Sequence, residues 1–98
     1  MTEASPSSSW FVYLLRCADE SLYTGITTDP VRRLDEHNGV IRPDKGARYT
    51  RSRRPVTLVY LEELTGRADA SRREYALKQL TRADKEELVL DSPPPLSP

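Results

Sequence analysis

The chain has 98 residues, of which 37% are hydrophobic and 31% charged, and its 15 basic residues are balanced by 15 acidic ones. That length holds one small domain of the ~50–200-residue kind and excludes a second. The apolar content excludes wholesale disorder, and no apolar run approaches the ~20 residues of a membrane span.

Residues 1–9, rich in Ser and Pro, cannot bury enough apolar surface to offset their ordering entropy and read as a disordered tail; the Pro-rich 91–98 read the same way. The folded domain is expected over 10–90. The opening MTEASPSSSW lacks the basic flank and apolar core of a signal peptide. The one cysteine, Cys17, has no internal partner for a disulfide. Both features fit a soluble protein of the reducing cytoplasm.

From Trp10 to Cys17 the chain is almost continuously apolar, with aromatic and β-branched residues, which predicts a buried strand. A polar turn at 18–21 leads into Leu22 to Thr27, whose alternation predicts a second strand in an antiparallel hairpin. If the paired residue numbers sum to an even value, Tyr13 and Tyr23 share a face; a slip of one residue separates them.

Asp29-Pro30 is a helix start, with a capping oxygen followed by a proline where no amide bond is lost. The helix should run from Pro30 to about Asn38 and stop at Gly39. Val31 and Leu34 are its expected apolar stripe, Arg32 and Glu36 an ion pair, and Arg33 and His37 a pair one turn apart on one side.

Residues 40–54 read as a loop with a short helical turn around Ala47 to Thr50. Its six basic residues, Arg42, Lys45, Arg48, Arg51, Arg53 and Arg54, face one acid, Asp44, so a neutral total hides a basic patch. Arg48, Arg51, Arg53 and Arg54 could follow phosphates while Tyr49 stacks a base, although a solvated loop carries the same charges at no cost. Val56 to Leu61 is the third strand. From Ala68 the period becomes helical, with Ala70, Leu77 and Leu80 on one side and Glu74 four residues before Lys78; Thr81 and Asp84 then restart a helix through Val89. The order β-β-α-loop-β-α-α defines an α/β (α+β) domain with a small three-stranded antiparallel sheet flanked by helices.

F-V-Y at 11–13, Y-T-G at 23–25, Arg33, His37, and Glu74 within E-Y-A-L-K lie on a spacing that resembles the GIY-YIG nuclease family. The runs H-N-G, K-G-A-R-Y-T and R-P-V, at 37–39, 45–50 and 54–56, resemble the family's small standalone bacterial proteins. Relatives include homing endonucleases, some restriction enzymes and the amino-terminal nuclease domain of an excinuclease. The family's Gly and Ile of the first motif are Phe11 and Val12 here, and the Ile of the second is Thr24, all strand-filling positions.

The resemblance implies a metal-dependent endonuclease, or nuclease module, that hydrolyses phosphodiester bonds in DNA. It casts Tyr13 as the base, Tyr23 as its helper, Arg33 as the phosphate clamp, His37 as a phosphate contact or proton relay, and Glu74 as ligand to Mg2+ or Mn2+. Its partner is nucleic acid, with a second protein available for targeting and no membrane. Taken singly, the residues have plainer readings: strand tyrosines in a core, a solvated arginine, a histidine at a helix end, a glutamate paired with Lys78. A nucleic-acid-binding module of the same fold with little turnover, and a protein-binding scaffold, are the other readings.

Overall fold

The computed structural model describes residues 9–40 and 46–92. The two expected tails and the basic residues Arg42 and Lys45 lie outside them, apart from the tails' inner ends at 9, 91 and 92. In chain order the elements are β1 (Trp10–Arg16), β2 (Leu22–Thr27), α1 (Pro30–Asn38), α2 (Arg48–Arg51), β3 (Thr57–Leu64), α3 (Arg67–Lys78) and α4 (Arg82–Asp91). The strands form one antiparallel sheet in the order β2-β1-β3, so the most apolar strand sits in the middle.

Phe11 pairs with Thr27 and Leu15 with Tyr23, so the register sum is even and Tyr13 and Tyr23 share a face. Because strand side chains alternate, β1 feeds two cores. Val12 and Leu14 pack with Tyr60 and Leu77, backed by Leu80, Leu88 and Val89, so α3 and α4 cover that face. Tyr13 and Leu15 pack on the opposite side with Cys17 and Val56, backed by Tyr23, Leu34, Leu58 and Leu61, so α1 covers this one. A bulge where β3 passes Leu14 and Leu15 leaves Val59 without a partner in the pairing.

α1 has the predicted limits. Asp29 Oδ1 accepts from the Arg32 amide at 3.1 Å, and Gly39 takes the left-handed conformation (φ 70°, ψ 28°) that ends the helix. Its inner stripe differs from expectation: Val31 is 55% exposed, whereas His37 is fully buried beneath Leu34's side of the helix. A histidine can replace an aliphatic residue there because both ring nitrogens find partners. β3 continues three residues beyond the predicted Leu61, through Glu62 and Glu63, because Glu62 accepts from Tyr60 Oη at 2.8 Å and Arg73 Nε at 2.9 Å. α4 starts at the expected cap, where Thr81 Oγ1 accepts from the Asp84 amide at 3.1 Å. Arg16 ties β1 to α4 through a two-pronged pair with Glu86 at 2.8 and 2.6 Å.

Candidate active site

Tyr13 is the centre of the site, and Gly25 is the reason it can be. The two residues are directly paired across β1 and β2, and the Tyr13 ring lies over the glycine: a Cβ at position 25 would stand 2.4 Å from the phenol oxygen. The missing side chain is the space the phenol occupies.

The phenol oxygen is 2.8 Å from His37 Nε2. The other ring nitrogen, Nδ1, is 2.7 Å from Thr50 Oγ1, which in turn reaches the Ala47 carbonyl at 3.0 Å; the Ala47 amide is 3.4 Å from Nδ1. His37 and Thr50 have no exposed surface, and Tyr13 has 3%. His37 therefore cannot touch a phosphate, which removes one of its two expected roles. Burial, reinforced by the Arg33 cation, holds its pKa down at about 4, so the imidazole is neutral.

Arg33 and Glu74 act on the same phenol. Burial raises the Tyr13 pKa to about 12; Tyr23 and Glu74 add to the rise, while Arg33 opposes it by hydrogen bonding and charge. Arg33 is held by Glu36 Oε1 at 2.8 Å, one turn along α1. Glu74 comes from α3, where Lys78 Nζ stands 3.3 Å from its Oε2. Tyr23 completes the group, its ring 6.4 Å from Tyr13 and 5.3 Å from His37. The structure thus gathers Tyr13, Tyr23 and His37 beside Arg33, whereas Glu74, on the helix that covers the other face of the sheet, acts on the phenol through its charge alone.

The five expected nucleic-acid contacts fare differently. Arg48 and Arg51 are exposed on α2. The Tyr49 ring is already stacked on Tyr23 at 5.8 Å and covered by the Arg53 guanidinium at 3.9 Å, so it braces the site rather than offering a platform to a base. Arg53 also donates to Asp19 Oδ2 at 2.9 Å. Arg54 turns inward to the end of α1 and donates to the His37 carbonyl at 2.6 Å, satisfying an acceptor that the helix leaves open.

The described residues of the three short runs noted in the sequence interlock at that helix end. Asn38 donates to the Val56 carbonyl at 3.0 Å and accepts from the Val56 amide at 2.7 Å, a strand-like pairing made by one side chain. Gly39 leaves room for the Arg54 guanidinium, which would lie 2.6 Å from a Cβ there. Gly46, at φ +94°, lets the chain approach α1 so closely that a Cβ would be 2.9 Å from the Glu36 carbonyl oxygen. Asn38 and Thr50 were not anticipated as site supports; the polar Thr50 ending the basic run was the available sign.

Among the described residues no three His, Cys, Asp or Glu side chains gather to hold a metal ion, and no helix is long and apolar enough to cross a membrane. A lone, partly exposed carboxylate such as Glu74 still fits a hard divalent ion, which keeps several waters and takes further oxygens from a phosphate.

A buried phenol held by a neutral imidazole beside a fixed cation is suited to proton transfer next to an anion. The family model described as "GIY-YIG catalytic domain" matches residues 9–87. The chain belongs to the GIY-YIG family, whose nucleases act on nucleic acids and generally use divalent metal ions. It is 59% identical over 81 residues to a UPF0213 protein of Desulfotalea psychrophila, covering 83% of this chain and 71% of that one. A UPF0213 protein of Natronomonas pharaonis is 49% identical over 81 residues, covering 83% and 91%. Two solution NMR structures are also similar: a UPF0213 protein of Bacillus halodurans (43% identity, TM-score 0.52) and a protein of E. faecalis (44%, TM-score 0.56), each match covering 84% of this chain and 83% of the other.

Proposed function

We propose that the protein is a metal-dependent endonuclease that hydrolyses phosphodiester bonds in DNA through Tyr13. The observation that carries this reading is the contact of the Tyr13 phenol oxygen with His37 Nε2, beside the Arg33 cation. A water proton passes to the Tyr13 oxygen as the phenol proton passes to His37 Nε2. The hydroxide bonds to phosphorus as the P–O bond to the leaving sugar oxygen breaks, and the imidazolium then returns its proton to the Tyr13 oxygen, which releases one to the leaving oxygen. Arg33 remains charged and retains donors beyond the one engaged by Glu36, enough to hold phosphate oxygens as negative charge builds on them. Tyr23 walls the phenol and orients the water. Glu74 would hold Mg2+ or Mn2+, which when bound supplies Lewis acidity and an acidified water.

The same numbers favour a second reading. With the phenol at about 12 and the imidazole at about 4, the proton stays on Tyr13 at rest, as in a nucleic-acid-binding module that turns over slowly. Metal-dependent cleavage of duplex, single-stranded, branched and RNA substrates separates the two. The endonuclease cuts DNA with Mg2+ or Mn2+, and Glu74→Ala removes cutting while leaving the fold intact. Undiminished cutting by Glu74→Ala rejects the metal assignment. Salt-sensitive binding weakened by substitution of Arg48 and Arg51, with no metal-dependent product, establishes the binding module.

A further inference from the structure

We propose that Thr50 is a positioning residue that locks His37 in the Nδ1–H form, so that Nε2 always faces Tyr13 as a proton acceptor. The inference rests on the reading of Tyr13 as the reacting base, and it follows from tracing each hydrogen through the buried chain of groups.

Thr50 has a single hydroxyl hydrogen, which goes to the Ala47 carbonyl at 3.0 Å, so toward His37 Nδ1 at 2.7 Å its oxygen offers only lone pairs. Nδ1 therefore supplies the hydrogen of that contact, Nε2 is left as the acceptor, and the phenol's own hydrogen goes to it at 2.8 Å. A neutral imidazole that accepts at Nε2 carries its hydrogen on Nδ1. Nδ1–H then donates to Thr50 Oγ1 at 2.7 Å, and the single hydroxyl hydrogen of Thr50 goes on to the Ala47 carbonyl at 3.0 Å. Every hydrogen along Tyr13, His37, Thr50 and Ala47 points one way, and each of the three short contacts has both a donor and an acceptor.

The reverse arrangement is poorer. With the hydrogen on Nε2, His37 would donate to Tyr13, and the phenol's hydrogen would need another partner although Tyr13 is only 3% exposed. Nδ1 would gain the Ala47 amide at 3.4 Å, at the long limit for a hydrogen bond, and could take the Thr50 hydrogen at 2.7 Å only by depriving the Ala47 carbonyl of it. Thr50 can hold this role because it cannot leave. It is fully buried on α2, Gly46 presses the preceding chain onto α1, and Tyr49 is fixed by Tyr23 and Arg53. Residues 46–50 thus form a shelf for one hydroxyl.

His37 is the chain's one histidine, so its ring nitrogens are read without ambiguity in a long-range proton–nitrogen correlation spectrum of the 15N-labelled full chain at neutral pH. The expected spectrum has a pyrrole-like Nδ1 and a pyridine-like Nε2. Thr50→Val removes the hydroxyl and leaves the Ala47 amide, a donor, beside Nδ1; the two resonances should exchange character. Thr50→Ser should keep the wild-type pattern. A pyridine-like Nδ1 in the wild type overturns the inference, as does a Thr50→Val protein with well-dispersed amide signals and an unchanged ring pattern. The wild-type spectrum decides the matter even if Thr50→Val does not fold. A chain with the expected tautomer that cuts nothing upholds Thr50's role and counts against the nuclease reading; the opposite tautomer in a chain that cuts does the reverse.

Discussion

On one side of the sheet Val12 and Leu14 meet Leu77, Leu80, Leu88 and Val89, and the packing is hydrocarbon against hydrocarbon. On the other, Tyr13 and Leu15 share their space with His37 and Thr50, two polar side chains with no exposed surface. Each side also holds a buried threonine. Thr50 bonds to an imidazole and a carbonyl, whereas the Thr24 hydroxyl, opposite Leu14, has no partner among the described residues. Polar burial thus marks the site only where it is fully bonded; an orphan hydroxyl on the dry side costs stability and does no chemistry.

The largest effect should come from the dry side. Leu77→Ala removes a fully buried side chain from the centre of the α3 contact and should cost about 2–5 kcal/mol in urea unfolding while leaving the His37 ring resonances unchanged. A change in those resonances would show that the two faces are mechanically coupled.

Acid tests the polar side. His37 has a folded pKa of about 4 against an ordinary 6.5, so the unfolded chain binds more protons between those values and stability rises with pH there. Its contribution is complete above about 6.5 and lost as pH falls toward about 4, a change of about 3 kcal/mol. Because there is one histidine, the upper part of that window, above the carboxylate range, belongs to it. Urea midpoints that stay level from pH 6.5 to 4.5 in the wild type would contradict the buried neutral imidazole, and His37→Gln should flatten whatever slope exists.

Gly25→Ala sits between the faces in size. Its Cβ would meet the free end of the Tyr13 side chain, which can move, so the cost is about 1–3 kcal/mol. Moving the phenol breaks the 2.8 Å contact with His37, and the proposed cleavage should be lost far beyond what that destabilisation explains. Retained cleavage by a folded Gly25→Ala protein would displace Tyr13 from the mechanism. The smallest effect is a gain: Thr24→Val removes the orphan hydroxyl and should raise stability by about 1 kcal/mol, and a loss would mean that the hydroxyl has found a partner.

Much of this architecture was legible before the structure. The alternation in β2 allowed Tyr13 and Tyr23 to share a face, and Asp29, Pro30 and Gly39 bounded α1 because caps and prolines act locally. Bonds between distant segments were not legible. Val31 was expected inside and lies outside, since what decides the stripe is a histidine whose partners come from positions 13 and 50. Arg54 counted as surface charge in a basic run, yet the open carbonyls at the end of α1 draw it inward. Tyr49 looked like a stacking surface until its neighbours Tyr23 and Arg53 were in place.

The paired positions 13 and 25 carry a lesson for comparing sequences. Since the phenol occupies the volume that a side chain at 25 would fill, glycine at 25 is the imprint of tyrosine at 13. The two should be exchanged together over evolution: a relative that keeps the tyrosine but bulks up position 25 has displaced its own phenol, and one that has lost the tyrosine is released from the glycine. Scored jointly, the pair separates intact copies of this site from folded remnants, which neither position does when scored alone.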